Sequence, residues 1–245
     1  MVFVAKMIGM FYAVVALLVL VYLLNKNALS KKIRYFFLVA SSLMGFIFFA
    51  PMIPNQFQSL IVGKGSNVAI VGVLLFIALT FVFGRIFCGY ICPIGAVQEL
   101  AYCMQTKKLK ITKKTTVYAI HILFFGAFLI SGLIFSIAIL RYLGFYDFFH
   151  MNTVSPFFYV FLSILIVSIF IYRPFCRLFC PYGLILSIVS AKSVFKLQRN
   201  ENCTDCSRCE RICPTNEIKS DSKLECYLCN RCREVCRVDA IDYSK

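Results

Sequence analysis

Residues 203–214 read CTDCSRCERICP and residues 226–236 read CYLCNRCREVC. Each run has the spacing Cys-x2-Cys-x2-Cys-x3-Cys: Cys203, Cys206, Cys209 and Cys213, then, twelve residues on, Cys226, Cys229, Cys232 and Cys236. Three thiolates this close in sequence can each take one iron of a [4Fe–4S] cube, and in paired runs the fourth cysteine ligates the other cluster. The spacing therefore assigns Cys203, Cys206, Cys209 and Cys236 to one cluster, and Cys226, Cys229, Cys232 and Cys213 to a second. A segment this short cannot be held by apolar burial alone, and crossed ligation would tie its halves into one unit. Zinc sites usually present separated cysteine pairs rather than two runs of four.

Outward from this tail the composition changes. The 245-residue chain is 60% hydrophobic and only 15% charged. Uncharged runs at 7–24, 35–53, 65–84, 115–140 and 148–172 each approach the ~20 residues a helix needs to cross a bilayer. The expected architecture is an all-α polytopic membrane domain of about five transmembrane helices over residues 1–197. A small α+β domain with two [4Fe–4S] clusters follows over residues 198–245. The first run is too long for a signal-peptide core, and no A-x-A site follows it, so it is expected to remain as a span.

Of the net charge of +15, none comes from residues 198–245, where nine basic residues balance nine acidic ones. The excess lies in the apolar part, as membrane topology requires and nucleic-acid binding does not. Connections dense in Lys and Arg (25–34, 107–114 and 173–196) alternate with sparse ones carrying Lys64 and Arg141. By the positive-inside rule the N-terminus lies outside and the C-terminal tail in the cytoplasm of a prokaryote, a reducing compartment that disfavours disulfides.

One internal repeat stands out. Phe87-Cys88-Gly89-Tyr90-Ile91-Cys92-Pro93-Ile94-Gly95 matches Phe175-Cys176-Arg177-Leu178-Phe179-Cys180-Pro181-Tyr182-Gly183, displaced by 88 residues. Each copy closes an apolar run and precedes a half-apolar stretch (96–105 and 184–195) expected to lie along the membrane surface. If the copies pack together, Cys88, Cys92, Cys176 and Cys180 converge and can hold a third [4Fe–4S] cluster or a soft metal such as Cu(I). Reversible thiol pairs and plain apolar packing are the alternatives.

Paired Cys-x3-Cys-Pro motifs on membrane helices, followed by the two-run tail, resemble the NapH-type and NosR-type membrane ferredoxin family, over roughly residues 65–245. Residues 198–245 resemble the bacterial two-cluster ferredoxin fold. The resemblance implies electron transfer in the cytoplasmic membrane, often described as quinol oxidation linked to a periplasmic reductase. The implied partners are membrane lipid, the quinone pool or a membrane or periplasmic redox protein, and a cytoplasmic electron carrier. The expected role is an electron-transfer subunit of a quinol dehydrogenase-like oxidoreductase, with no catalytic side chain of its own. The rivals are a copper reductase or assembly factor for a metalloenzyme, and an iron–sulfur redox sensor.

Four further groups have modest expectations. His121 reads as a hydrogen-bonded packing residue, Glu99 as the partner of a neighbouring lysine, and Cys103 as incidental. The segment from Tyr142 to His150, with Asp147, reads as an aromatic interfacial belt or, more sharply, as a quinol pocket.

Overall fold

The computed structural model describes residues 2–49, 52–104, 106–111, 113–220 and 222–244; Ala50 and Pro51, in the second expected span, lie outside the described residues. The helices are α1 (Val2–Asn25), α2 (Lys31–Phe48), α3 (Ile53–Ile61), α4 (Asn67–Phe83), α5 (Pro93–Tyr102), α6 (Lys114–Leu133), α7 (Ile139–Tyr142), α8 (Phe145–Phe149), α9 (Pro156–Phe170) and α10 (Pro181–Ala191). After strand β1 (Lys196–Arg199) come α11 (Arg208–Ile212), α12 (Arg231–Glu234) and β2 (Ile241–Ser244). The strands pair antiparallel with Leu197 opposite Tyr243, which ties the tail's last residues to its entry.

The apolar runs become helices of unequal length. Met7–Asn25 and Lys114–Leu133 are long and apolar enough to cross a membrane, and α2 with α3 qualifies as a bent pair. By contrast α4 has 17 residues and α9 has 15. At 1.5 Å per residue these reach about 25 and about 22 Å, short of a ~30 Å hydrocarbon core. The causes are local. Gly84 takes a positive φ of 74° and closes α4, a conformation that favours glycine. Pro156 sits at the first turn of α9, the place where a missing N–H costs nothing. Upstream of it, Asp147 accepts hydrogen bonds from Ser155 Oγ at 2.9 Å and Asn152 Nδ2 at 3.3 Å, so the run 148–172 begins as a folded turn.

Phe11, Phe36, Val71, Leu123, Leu133 and Tyr159 are exposed on these helices. A soluble monomer rarely carries so much exposed apolar surface, and this is a membrane protein. The short helices α5 and α10 are largely buried within the protein. Each is packed on the apolar helix of the other repeat, α5 on α9 and α10 on α4, so the two halves exchange helices. Pro93, Ile94, Gly95, Gln98 and Glu99 are buried in α5.

The tail docks where the basic connections gather. Arg34 pairs with Glu234 at 2.6 Å, Lys114 pairs with Glu217, and Arg177 grips Glu225 with two bonds of 2.9 and 2.8 Å. Main-chain carbonyls add to this: Tyr90 Oη donates to Leu228 O at 2.8 Å, Arg233 Nη1 to Leu24 O at 2.8 Å and Tyr243 Oη to Phe83 O at 2.7 Å. The two sparse connections meet at the other end, around a cavity of about 310 Å³ that includes Lys64 and Arg141.

The Arg177–Glu225 pair is nearly fully buried, with 1% and 4% of the side chains exposed. Removing one member of such a pair strands the other charge. Arg177→Ala is expected to destabilise tail docking by roughly 3–5 kcal/mol, read as faster proteolytic release of residues after Lys196 from intact protein in detergent.

Candidate metal centre

In both tail runs the backbone repeats one conformation. Asp205 and Ser207 have φ of 47° and 54°, and the equivalent Leu228 and Asn230 have 52° and 62°. Alternating right- and left-handed residues curl successive N–H groups toward one side, a concavity suited to an anion. Asp and Asn tolerate that region and leucine does not, so Leu228 is held there by its surroundings. It is 2% exposed.

Cys203, Cys206, Cys209 and Cys236 line one cavity, with Val238, Ala240 and Ile241. Cys213, Cys226, Cys229 and Cys232 line a second, with Tyr172, Ile218, Tyr227 and Arg231. The last cysteine of each run thus stands among the first three of the other. Among the described residues no trio of His, Cys, Asp or Glu closes to the spacing of a single metal ion. Thiolates around an iron–sulfur cube need not meet at a point, because each takes its own iron. Donors face the sulfurs: Ala240 N–H reaches Cys236 Sγ at 3.2 Å and Arg199 Nη2 reaches Cys209 Sγ at 3.5 Å. The thiol set, the apolar walls and the inward N–H groups all fit a [4Fe–4S] cluster.

The two cavities differ in exposure. Cys206 is exposed, and the N–H of Arg208 lowers its thiol pKa. Burial pushes the Cys226 thiol up to about 12. Ligation, which takes the thiolate, displaces a proton from such a group.

The two membrane motifs are built alike. Phe87–Ile91 and Phe175–Phe179 are π-helical turns, a form common at functional positions, and Cys92 N–H bonds back to Phe87 O at 2.9 Å. Pro93 and Pro181 then start α5 and α10. The glycine of each motif has a clear reason. A Cβ on Gly95 would fall 2.6 Å from Cys88 O, and one on Gly183 would fall 2.9 Å from Cys176 O.

The copies pack together. Gly183 N–H reaches Cys180 Sγ at 3.2 Å, and Cys88, Cys92, Cys176 and Cys180 are all 5–7% exposed. Gln98 of the first half donates to Cys176 Sγ at 3.4 Å and accepts from Phe175 N–H at 3.0 Å. His121 bonds Cys180 O at 2.8 Å, so it positions a motif cysteine. Glu99 pairs not with a lysine but with Arg173 at 2.8 Å and with Arg231. Burial alone would raise its carboxyl, yet Arg231 and Arg173 hold it below the usual carboxylate range. Cys103 Sγ accepts from Arg231 at 3.7 Å. At the far end Asp147 is satisfied by its own loop, and His150 stacks on Tyr146 at 4.3 Å.

Arg85 and Arg173 escaped the sequence reading. Each stands three residues before the first cysteine of its motif, so the repeat extends upstream with the same 88-residue displacement. Each also reaches the opposite copy. Arg173 donates to Cys88 O and, at 2.6 Å, to Gly89 O, while Arg85 donates to Gly183 O at 3.2 Å. Both pack on the ring of Tyr227, which lies 4.2 Å from the Arg85 guanidinium and 5.0 Å from that of Arg173. A Cβ on Gly89 would fall 2.4 Å from Tyr227 O. Cys88-Gly89 and Cys226-Tyr227 therefore touch backbone to backbone.

A family model described as a 4Fe-4S binding domain matches residues 68–112 and 156–200, the two stretches that hold the membrane motifs. An uncharacterized protein of Methanocaldococcus jannaschii is 35% identical over 196 residues, 74% of this chain and 81% of that protein. The putative electron transport protein YccM of Escherichia coli is 30% identical over 66% of this chain and 51% of its own length. The regulatory protein NosR of Pseudomonas aeruginosa is 29% identical over 62% of this chain and 24% of its own. No solved structure matches the chain.

Gly95→Ala forces a methyl against the Cys88 carbonyl. It is expected to cost about 1–3 kcal/mol, as overpacking does, measured as a lowered thermal midpoint of the intact protein. Gly126→Ala, where an added Cβ meets nothing within 4 Å, serves as the reference for a glycine replaced in open space.

Proposed function

The chain belongs to the NosR/NapH-type family of membrane-associated, ferredoxin-type electron-transport proteins, and from that premise we propose that it relays single electrons between a membrane or outer-side redox partner and a cytoplasmic carrier. In this reading Cys203, Cys206, Cys209 and Cys236 hold one [4Fe–4S] cluster, and Cys226, Cys229, Cys232 and Cys213 a second. Cys88, Cys92, Cys176 and Cys180 hold a third. Bound iron–sulfur clusters accept and release one electron each, at potentials set by burial and by hydrogen bonds to sulfur. The chain's own residues bind, orient and seal: thiolates ligate, Gln98, Arg199 and Ala240 N–H direct hydrogen bonds at sulfur, and the buried aromatic and arginine layer excludes water.

The observation that carries this reading is the order of the three thiol sets. The outermost tail set includes exposed Cys206 and faces a soluble partner. The inner tail set adjoins the repeats through Tyr227, whose carbonyl rests on Gly89 beside Cys88. The membrane set is the deepest. Support for iron at the membrane set comes from the 4Fe-4S model matching both motif stretches. The gathering of the basic connections at the tail end supports an orientation with the tail inside and the N-terminus outside. Quinone, or a membrane or periplasmic protein, would complete the route at the other end.

Anaerobic iron and sulfide quantification with electron paramagnetic resonance tests this reading. The intact protein should hold about 12 irons, and Cys88→Ala or Cys180→Ala about 8, at four irons per cluster. About 8 irons in the wild type, with copper at the membrane thiols, would instead favour an assembly factor.

A further inference from the structure

Four arginines surround the contact between the repeats and the tail. Arg173 and Arg231 share Glu99, and Arg177 holds Glu225. Arg85 has no carboxylate within salt-bridge distance among the described residues. It is 1% exposed, its two Nη atoms bond the carbonyls of Leu224 and Gly183 at 3.2 Å, and its Nε has no partner. A guanidinium stays protonated in any protein setting, and a buried charge without a counter-ion is strongly disfavoured. A compensating anion is therefore required close by. Arg85 stands three residues before Cys88 of the first motif, and Gly183, whose carbonyl it bonds, donates its own N–H to Cys180 Sγ of the second at 3.2 Å, which ties Arg85 to a cysteine of each copy.

We infer that Arg85 is the counter-charge of the membrane thiol set and raises the reduction potential of the cluster held there. This rests on the reading of those thiols given above. Four thiolates outnumber the positive charge of a [4Fe–4S] core, and reduction by one electron adds a further negative charge to the same site. A fixed cation beside it favours the reduced form. Arg173 occupies the matching position in the other copy, but it bonds the carboxylate of Glu99 at 2.8 Å whereas Arg85 bonds only carbonyls, so the two equivalent arginines stand in different surroundings. Arg85 also stacks on Tyr227, which places the same cation beside the contact that joins the inner tail set to the membrane set. Its role is positioning and electrostatic; no contact between Arg85 and a sulfur is required.

The test is a redox titration of the intact, anaerobically purified protein followed by electron paramagnetic resonance. The membrane centre is identified as the signal lost in Cys180→Ala. In Arg85→Gln, which removes the charge, its midpoint potential should shift downward while that of the outer tail centre holds. Arg85→Lys, which keeps the charge and loses the fork, should restore most of the shift. If Arg85→Gln loses iron from the membrane set while Arg85→Lys keeps both iron and potential, the need for charge is likewise supported. An unchanged potential in fully loaded Arg85→Gln, equal shifts in both variants, or loss of iron from both would overturn the inference. A wild type without the third centre would instead remove the underlying reading of the membrane thiols, a result visible before any Arg85 variant is compared.

Discussion

The ring of Tyr227 packs against two buried guanidinium groups, those of Arg85 and Arg173, and its carbonyl rests on Gly89. Much else follows from this one contact. A methyl on Gly89 would occupy the place of the carbonyl, and a tail held further away could not deliver Glu225 to Arg177 or Arg231 to Glu99. The residue at the centre of the dock is also the neighbour of Cys226, so the element that anchors the tail belongs to its inner thiol set.

Energetically the dock is an unusual choice. Burying ion pairs costs desolvation that mutual attraction repays only with good geometry. Glu99 and Glu225 are 1% and 3% exposed, and both meet arginine through more than one contact. The net return in stability is small under such conditions, whereas a misplaced tail would leave several charges stranded. The layer therefore acts mainly on register, holding one arrangement of tail against repeats. Lipid-facing helices alone would not supply that specificity, because apolar surface is indifferent to rotation.

The repeats contribute the second half of the logic. Each motif uses a π-helical turn and a proline to redirect the chain, and the helix that follows packs on the other half. Because α5 and α10 are exchanged, Gln98 from the first half meets Cys176 of the second, and Arg173 of the second meets Cys88 of the first. Neither motif encloses its own cysteines. Each motif therefore takes part of its surroundings from the other half.

Much of this was legible in the residues themselves. Thiol spacing in the tail, uncharged runs, the alternation of basic connections and the 88-residue repeat are local or periodic features, and such features survive in a linear string because neighbours in sequence remain neighbours in space. Helix ends were less legible: Gly84 and Pro156 shorten α4 and α9 through backbone geometry that hydropathy does not register. The partners of charge were not legible at all. Glu99 passes over nearby lysines for arginines 74 and 132 positions away, and Arg85 bonds a carbonyl 139 positions away. Those choices arise only when the exchanged helices and the docked tail exclude water from one layer, where an unpaired charge is costly enough to select its partner.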